Sequence, residues 1–328
     1  MKPFTFAEPA SVQAALDLLA SGHGGARLMA GGSDLLGELK EGTRHYPLLV
    51  SLGRIAALRK IESHAGGLRI GAGVTLAQLE HEPRLSGPYR ILAEAARGVA
   101  TPEIRNQGTL GGNLCQRPRC FHYRSRWIAC LKKGGSACPA AASAHQQYLS
   151  VMGGQGCFAV PAADLAPPLL ALDASAVVAG AAGESRVPLE RFFTGPEVDV
   201  LRENVLLDTD VLAAVELPAC PADWRGTYLK ARERTAGDFP LVSVAFGCRL
   251  DGGSMRQVRM VLGGAAPVPW RCLEAQSLLE GRPYAPELAA LAAQAAFAKA
   301  QPLPNNLFKV ELGQALIARA IREVAGAG

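Results

Sequence analysis

The 328-residue sequence contains no run of about 18 apolar residues, so no membrane-spanning helix is read from it. Its opening, MKPFTFAEPASVQAALDLLA, lacks a basic cluster followed by a continuous apolar stretch, so no export signal is read either. Aromatic residues make up only 6%, too few for a stacking surface typical of single-stranded nucleic-acid binders. Despite eight cysteines there is no CxxC pair, which excludes the spacings of zinc fingers, ribbons and knuckles. Gly71-Ala-Gly73 is not completed by a third glycine, and no G-x4-G-K-[ST] occurs, so neither a Rossmann nor a P-loop nucleotide site is supported. Between Cys115 and Cys157 there is not one Asp or Glu.

What is present sharpens these exclusions. With 49% hydrophobic and 19% charged residues the chain can bury a sizeable core, and its length favours two domains. The net charge of +5 is unevenly spread. The acid-free segment carries Arg117, Arg119, Arg124, Arg126, Lys132 and Lys133, and the rest of the chain is close to neutral. The same segment holds Cys115, Cys120, Cys130, Cys138 and Cys157, five of the eight cysteines.

Local patterns place the elements. Ser11 caps a helix with Val12, Leu16 and Leu19 on its apolar face, and Thr75 caps another from about Leu76. Strands are expected at Arg27–Ala30, Leu48–Leu52, Gly67–Gly71 and near Ala176. The Cys-rich segment reads as a long loop or insertion. Gly180-Ala-Ala-Gly-Glu-Ser-Arg186 reads as a domain boundary or, alternatively, a hairpin tip. Beyond it, strands at 211–217, 227–232 and 241–250 lead through Asp251-Gly-Gly253 into a hairpin partner at 257–262, and three helices close the chain.

Two features carry chemistry. Ala30-Gly-Gly-Ser33 and Thr109-Leu-Gly-Gly-Asn113 are glycine turns whose consecutive backbone N–H groups suit an anion, although Gly-Gly also serves ordinary turns. The pattern Cys120-x9-Cys130-x7-Cys138-x18-Cys157 fits buried unpaired thiols, a structural zinc site or an iron-sulfur cluster. Nearby cations offset the negative charge of such a cluster. They also suit an acidic partner, RNA or plain solvent, so a zinc-stabilised basic binding module stays open beside the cluster.

Taken together and in this order, the two glycine turns resemble the flavin subunit of the xanthine dehydrogenase/oxidase family of molybdenum hydroxylases. The likeness extends to Gly67-Leu-Arg-Ile-Gly-Ala72, Arg105-Asn-Gln-Gly-Thr-Leu-Gly-Gly-Asn-Leu114, Ala163-Asp-Leu-Ala-Pro167 and Tyr228-Leu-Lys-Ala-Arg232. It implies an α+β fold: a two-lobed FAD-binding domain of the PCMH/VAO type over 1–180, with lobes of about 1–55 and 56–180 and the insertion at 115–157. A smaller C-terminal α+β domain, an antiparallel sheet plus helices, would follow over 181–328. FAD would lie on Arg27, Leu28, Met29, Ala30, Gly31, Gly32, Ser33, Asp34 and Leu35 and on Thr109, Gly111, Gly112 and Asn113. Asp164 would sit near the flavin and Lys230 would reach it from the second domain.

Two branches of that family carry a Cys-rich insertion holding a 4Fe-4S cluster, which implies Cys120, Cys130, Cys138 and Cys157 as ligands. Gln116-Arg-Pro-Arg-Cys120 and Asn305-Asn-Leu-Phe-Lys309 look like the periplasmic-type aldehyde oxidoreductases, whereas Cys115 and Cys130-Leu-Lys-Lys-Gly134 look closer to the 4-hydroxybenzoyl-CoA reductases. The resemblance implies an electron-transfer subunit working with a small 2Fe-2S subunit, a large molybdenum-cofactor subunit and an external electron acceptor. By its own sequence the chain is expected in the cytoplasm. Co-export with a signal-bearing partner would place it in the periplasm.

Overall fold

The computed structural model describes residues 1–326. Short strands β1 (Thr5–Ala7), β2 (Ala26–Met29) and β3 (Leu48–Ser51) form a parallel sheet in the order β1-β3-β2. The helix Val12–Ser21 crosses between β1 and β2, and Ser11 caps it by accepting from the Ala14 N–H at 3.1 Å. Ala15, Leu16 and Leu19 of that helix meet Val50, Ile55 and Leu58 in a small core of their own.

The second lobe is built on an antiparallel sheet of β4 (Ile61–His64), β5 (Gly67–Gly71), β6 (Ser175–Gly180), β7 (Gly183–Pro188) and β8 (Val211–Leu217), in the order β4-β5-β8-β6-β7. This corrects the boundary expected at 180. Gly180 and Gly183 close a hairpin between β6 and β7, Gly183 takes the left-handed φ of +101°, and β8 inserts between β5 and β6. The Gly-rich break is therefore the hairpin tip, and the first domain runs on to about residue 217.

The last sheet is antiparallel, in the order β12-β11-β10-β9, with β9 (Arg225–Ala231), β10 (Val242–Asp251), β11 (Ser254–Gly263) and β12 (Trp270–Arg271). Strand alternation gives it two buried faces. Val242, Val244 and Phe246 pack against the helices Leu273–Leu279, Pro286–Ala296 and Phe308–Ala325. Ala245, Val261 and Tyr228 point the other way, into the core shared with the helices Arg90–Gly98 and Ala166–Ala171 of the second lobe. That shared core locks the two domains together and brings β9 alongside Asp164.

The Cys-rich segment is more ordered than the loop reading expected. It holds short helical turns at Phe121–Arg124, Leu131–Lys133 and Pro139–Ala142. The Ser150 N–H donates to Phe158 O at 2.8 Å, within a bridge between Leu149 and Ala159. Its far end is pinned to the C-terminal domain by two buried side chains. Asn306 Nδ2 donates to Ser150 O at 3.1 Å, and Lys309 Nζ donates to Leu149 O at 2.6 Å and to Gly264 O at 2.7 Å.

Candidate functional site

Only five residues, Ala30 to Asp34, separate the end of β2 at Met29 from the helix Leu35–Glu41, so they must turn within a short loop. Gly32 takes a φ of +74°, where a side chain is strained. Gly31 is required for a different reason: a Cβ there would stand 1.8 Å from the Gln107 carbonyl oxygen, at the entrance to the second glycine turn. Among the described residues, the backbone N–H groups of Gly31, Gly32, Ser33, Asp34 and Leu35 donate to no protein acceptor. Five successive free donors over a concave surface form an anion-binding nest.

The second turn differs. Thr109 Oγ1 accepts from the Gly112 N–H at 3.0 Å, the Gly111 N–H donates to Ala72 O at 2.8 Å, and the Asn113 N–H donates to Thr109 O at 2.8 Å. Asn113 Oδ1 accepts from the Leu165 N–H at 3.2 Å, tying the turn to the segment that carries Asp164. These donors are spent within the chain, so the second turn is a wall that supports the first.

Both turns face one cavity of about 370 Å³. Arg27 to Leu35, Thr109, Gly111 to Asn113 and Asp164 all line it. Lys230 does not. It stands behind Asp164, with Nζ 2.8 Å from Oδ2 and 3.0 Å from Gly98 O, while Tyr228 donates its hydroxyl to Asp164 Oδ1 at 2.7 Å. Burial pushes the Tyr228 phenol well above its ordinary value of 10.0, so it remains a donor. The sequence reading missed Tyr228, although strand alternation places it on the same face as Lys230. It also missed Arg117 and Arg119, just after the second turn, and Leu207 and Phe239, from distant segments, on the cavity wall.

The cysteines fall into two groups. Cys115 lines the cavity and packs against the main core, and burial pushes its thiol up to about 12. The other four influence one another electrostatically. Interaction with Cys157 lowers Cys138, and interaction with Cys138 raises Cys157. Burial raises Cys120, and the neighbouring Cys138 and Cys130 add to that shift. Among the described residues no three His, Cys, Asp or Glu side chains gather closely enough to hold one metal ion.

The segment's basic charge finds counter-ions elsewhere in the chain. Arg119 and Arg124 pair with Asp34, and Arg117 and Lys132 pair with Glu203. Arg126 lies over the Trp127 ring, and Lys133 Nζ donates to His122 O at 3.0 Å. The expectation that these six cations answer to a cluster's charge is thus corrected for the four that meet carboxylates.

Comparison with known proteins gives this geometry a family. Residues 2–220 match the FAD-binding domain in molybdopterin dehydrogenase, and residues 227–324 match the CO dehydrogenase flavoprotein C-terminal domain. The chain therefore belongs to the FAD-binding subunits of the xanthine dehydrogenase family of molybdenum hydroxylases, an oxidoreductase family. It is 33% identical to the aldehyde oxidoreductase FAD-binding subunit PaoB of Escherichia coli over 326 residues, covering 98% of each chain. Among solved structures it resembles the carbon monoxide dehydrogenase of Hydrogenophaga pseudoflava, with a TM-score of 0.80 and 27% identity over 100% of this chain and 99% of that one. It also resembles quinoline 2-oxidoreductase of Pseudomonas putida, with a TM-score of 0.78 and 26% identity over 99% of both chains.

Proposed function

We propose that the chain is the FAD-carrying electron-transfer subunit of a heteromeric molybdenum hydroxylase of the aldehyde oxidoreductase type, working with a small 2Fe-2S subunit and a large molybdenum subunit. The observation that carries this reading is the run of five free N–H donors from Gly31 to Leu35 facing the cavity. These donors would hold the FAD diphosphate. Thr109 and Gly111 to Asn113 would close the opposite wall, and Asp164, fixed by Lys230 and Tyr228, would present a carboxylate of set orientation to the cofactor. Bound FAD supplies the link between one-electron centres and a two-electron acceptor. The chain's own part is to bind and orient it.

The mutual electrostatic influence of the Cys120, Cys130, Cys138 and Cys157 thiols supports a 4Fe-4S cluster, which these four would hold. Four sulfur donors are the soft set such a cluster takes. The kinship with an aldehyde oxidoreductase subunit supports the substrate class. No described helix is long and apolar enough to cross a membrane, and we place the subunit in the compartment of its partners.

The flavin site is tested at Ser33, which lines the cavity, is exposed and is free of the φ constraint at Gly32. Ser33→Asp sets a carboxylate against the nest and is expected to abolish FAD retention with little loss of fold. Full flavin content in that variant contradicts the assignment.

A further inference from the structure

Asp34 stands inside the loop whose N–H groups are free, and it lines the cavity. An unneutralised carboxylate there opposes any anion, because charges in a partly buried site are weakly screened. The structure neutralises it entirely from the Cys-rich segment. Arg124 Nη2 donates to Oδ1 at 2.6 Å, Arg119 Nη2 stands 3.1 Å from the same oxygen, and the Arg117 N–H donates to Oδ2 at 2.8 Å. One carboxylate thus holds two guanidinium groups, so its own charge no longer stands unopposed beside the loop.

The clamp continues inward. The Tyr123 hydroxyl accepts from Arg117 Nε at 2.9 Å and donates to Glu38, which also lines the cavity, and Arg117 Nη1 pairs with Glu203 at 2.6 Å. Burial pushes the Tyr123 phenol up to about 12, so it stays protonated between these groups. Arg117 and Arg119 both line the cavity as well, which puts the clamp on the wall of the site.

We infer that Arg119 and Arg124, held on Asp34, make the first glycine loop competent for a diphosphate, so that FAD affinity and the integrity of the Cys-rich segment are reciprocally coupled. They are positioning residues acting through Asp34. The inference rests on the proposed flavin site and adds a role for the segment that does not depend on any metal.

The test is FAD binding to apo-protein by flavin fluorescence, with far-UV circular dichroism confirming the fold, for the wild type, Arg124→Gln, Asp34→Asn and the double variant. Arg124→Gln is expected to weaken binding about ten- to a hundred-fold, the usual span of such couplings. Asp34→Asn in the same chain removes the charge to be offset and is expected to restore affinity to within about threefold of wild type. Arg124 also donates to Pro118 O and Arg117 O, so Arg119→Gln, with a side chain 31% exposed, repeats the comparison if Arg124→Gln misfolds. Unchanged affinity in the Arg variants, or a double variant as weak as the single one, overturns the coupling while leaving the flavin site standing. A wild-type chain that takes up no FAD overturns both.

Discussion

Lys230 and Asp164 form an ion pair at the joint between the two domains, with side chains 5% and 2% exposed. Lys230→Met removes the ammonium that donates to Asp164 Oδ2 and to Gly98 O. The carboxylate then keeps only the Tyr228 hydroxyl at 2.7 Å, and the Gly98 carbonyl keeps Arg232 Nη1 at 3.2 Å. A buried charge left without its partner costs about 3–5 kcal/mol, whereas removing both members of such a pair is close to neutral. The expected result is a destabilisation of about 3–5 kcal/mol for Lys230→Met in urea denaturation of the apo-chain. Most of it should be recovered in Lys230→Met/Asp164→Asn, which carries no charge to strand. Because β9 brings Lys230 from the second domain, the loss should loosen the domain joint, seen as faster hydrogen exchange in Arg90–Gly98. A cost under about 1 kcal/mol, or a double variant no better than the single one, refutes the reasoning, because either outcome gives the pair the weight of an exposed one.

Burial holds the Lys309 ammonium down to about 7, against an ordinary value of 10.5. Between those values the unfolded chain keeps a proton that the folded chain has lost, so this group makes stability rise with pH from about 7 upward and contributes no slope below it. Denaturation midpoints of wild type and Lys309→Met across that range should therefore diverge, the wild type gaining as pH rises; parallel curves contradict the burial argument. For the thiols, Cys120→Ser should lose iron and sulfide from anaerobically purified protein while Cys115→Ser keeps them, because Cys115 packs in the core and faces the cavity. Equal loss in both variants, measured by iron analysis, overturns the choice of ligands.

Much of the fold was legible because its signals are local. Thr75 and Gln78 form a capping box, with the Gln78 N–H donating to Thr75 Oγ1 at 3.2 Å, and Asp251-Gly-Gly253 turns β10 into β11 as its residues require. The two glycine turns were legible as a pair, but sequence gave them equal roles. Which N–H groups remain free depends on Ala72 O and Thr109 Oγ1 taking those of the second turn. The domain boundary failed because a Gly-rich hairpin and a linker share composition, and only the pairing of β8 with β5 and β6 separates them. The acid-free segment misled for a related reason. Its carboxylates, Asp34, Glu38 and Glu203, lie some 70 to 90 residues away in sequence, where no local window finds them.

The central claim is that the cavity's anion nest, rather than its apolar walls, selects the cofactor. Titrating the apo-chain by calorimetry with ADP and with adenosine, which differ only in the diphosphate, tests it most directly. ADP is expected to bind at least about a hundred-fold more tightly, a difference of about 2.7 kcal/mol drawn from the Gly31–Leu35 donors. Equal affinity for the two would contradict the account.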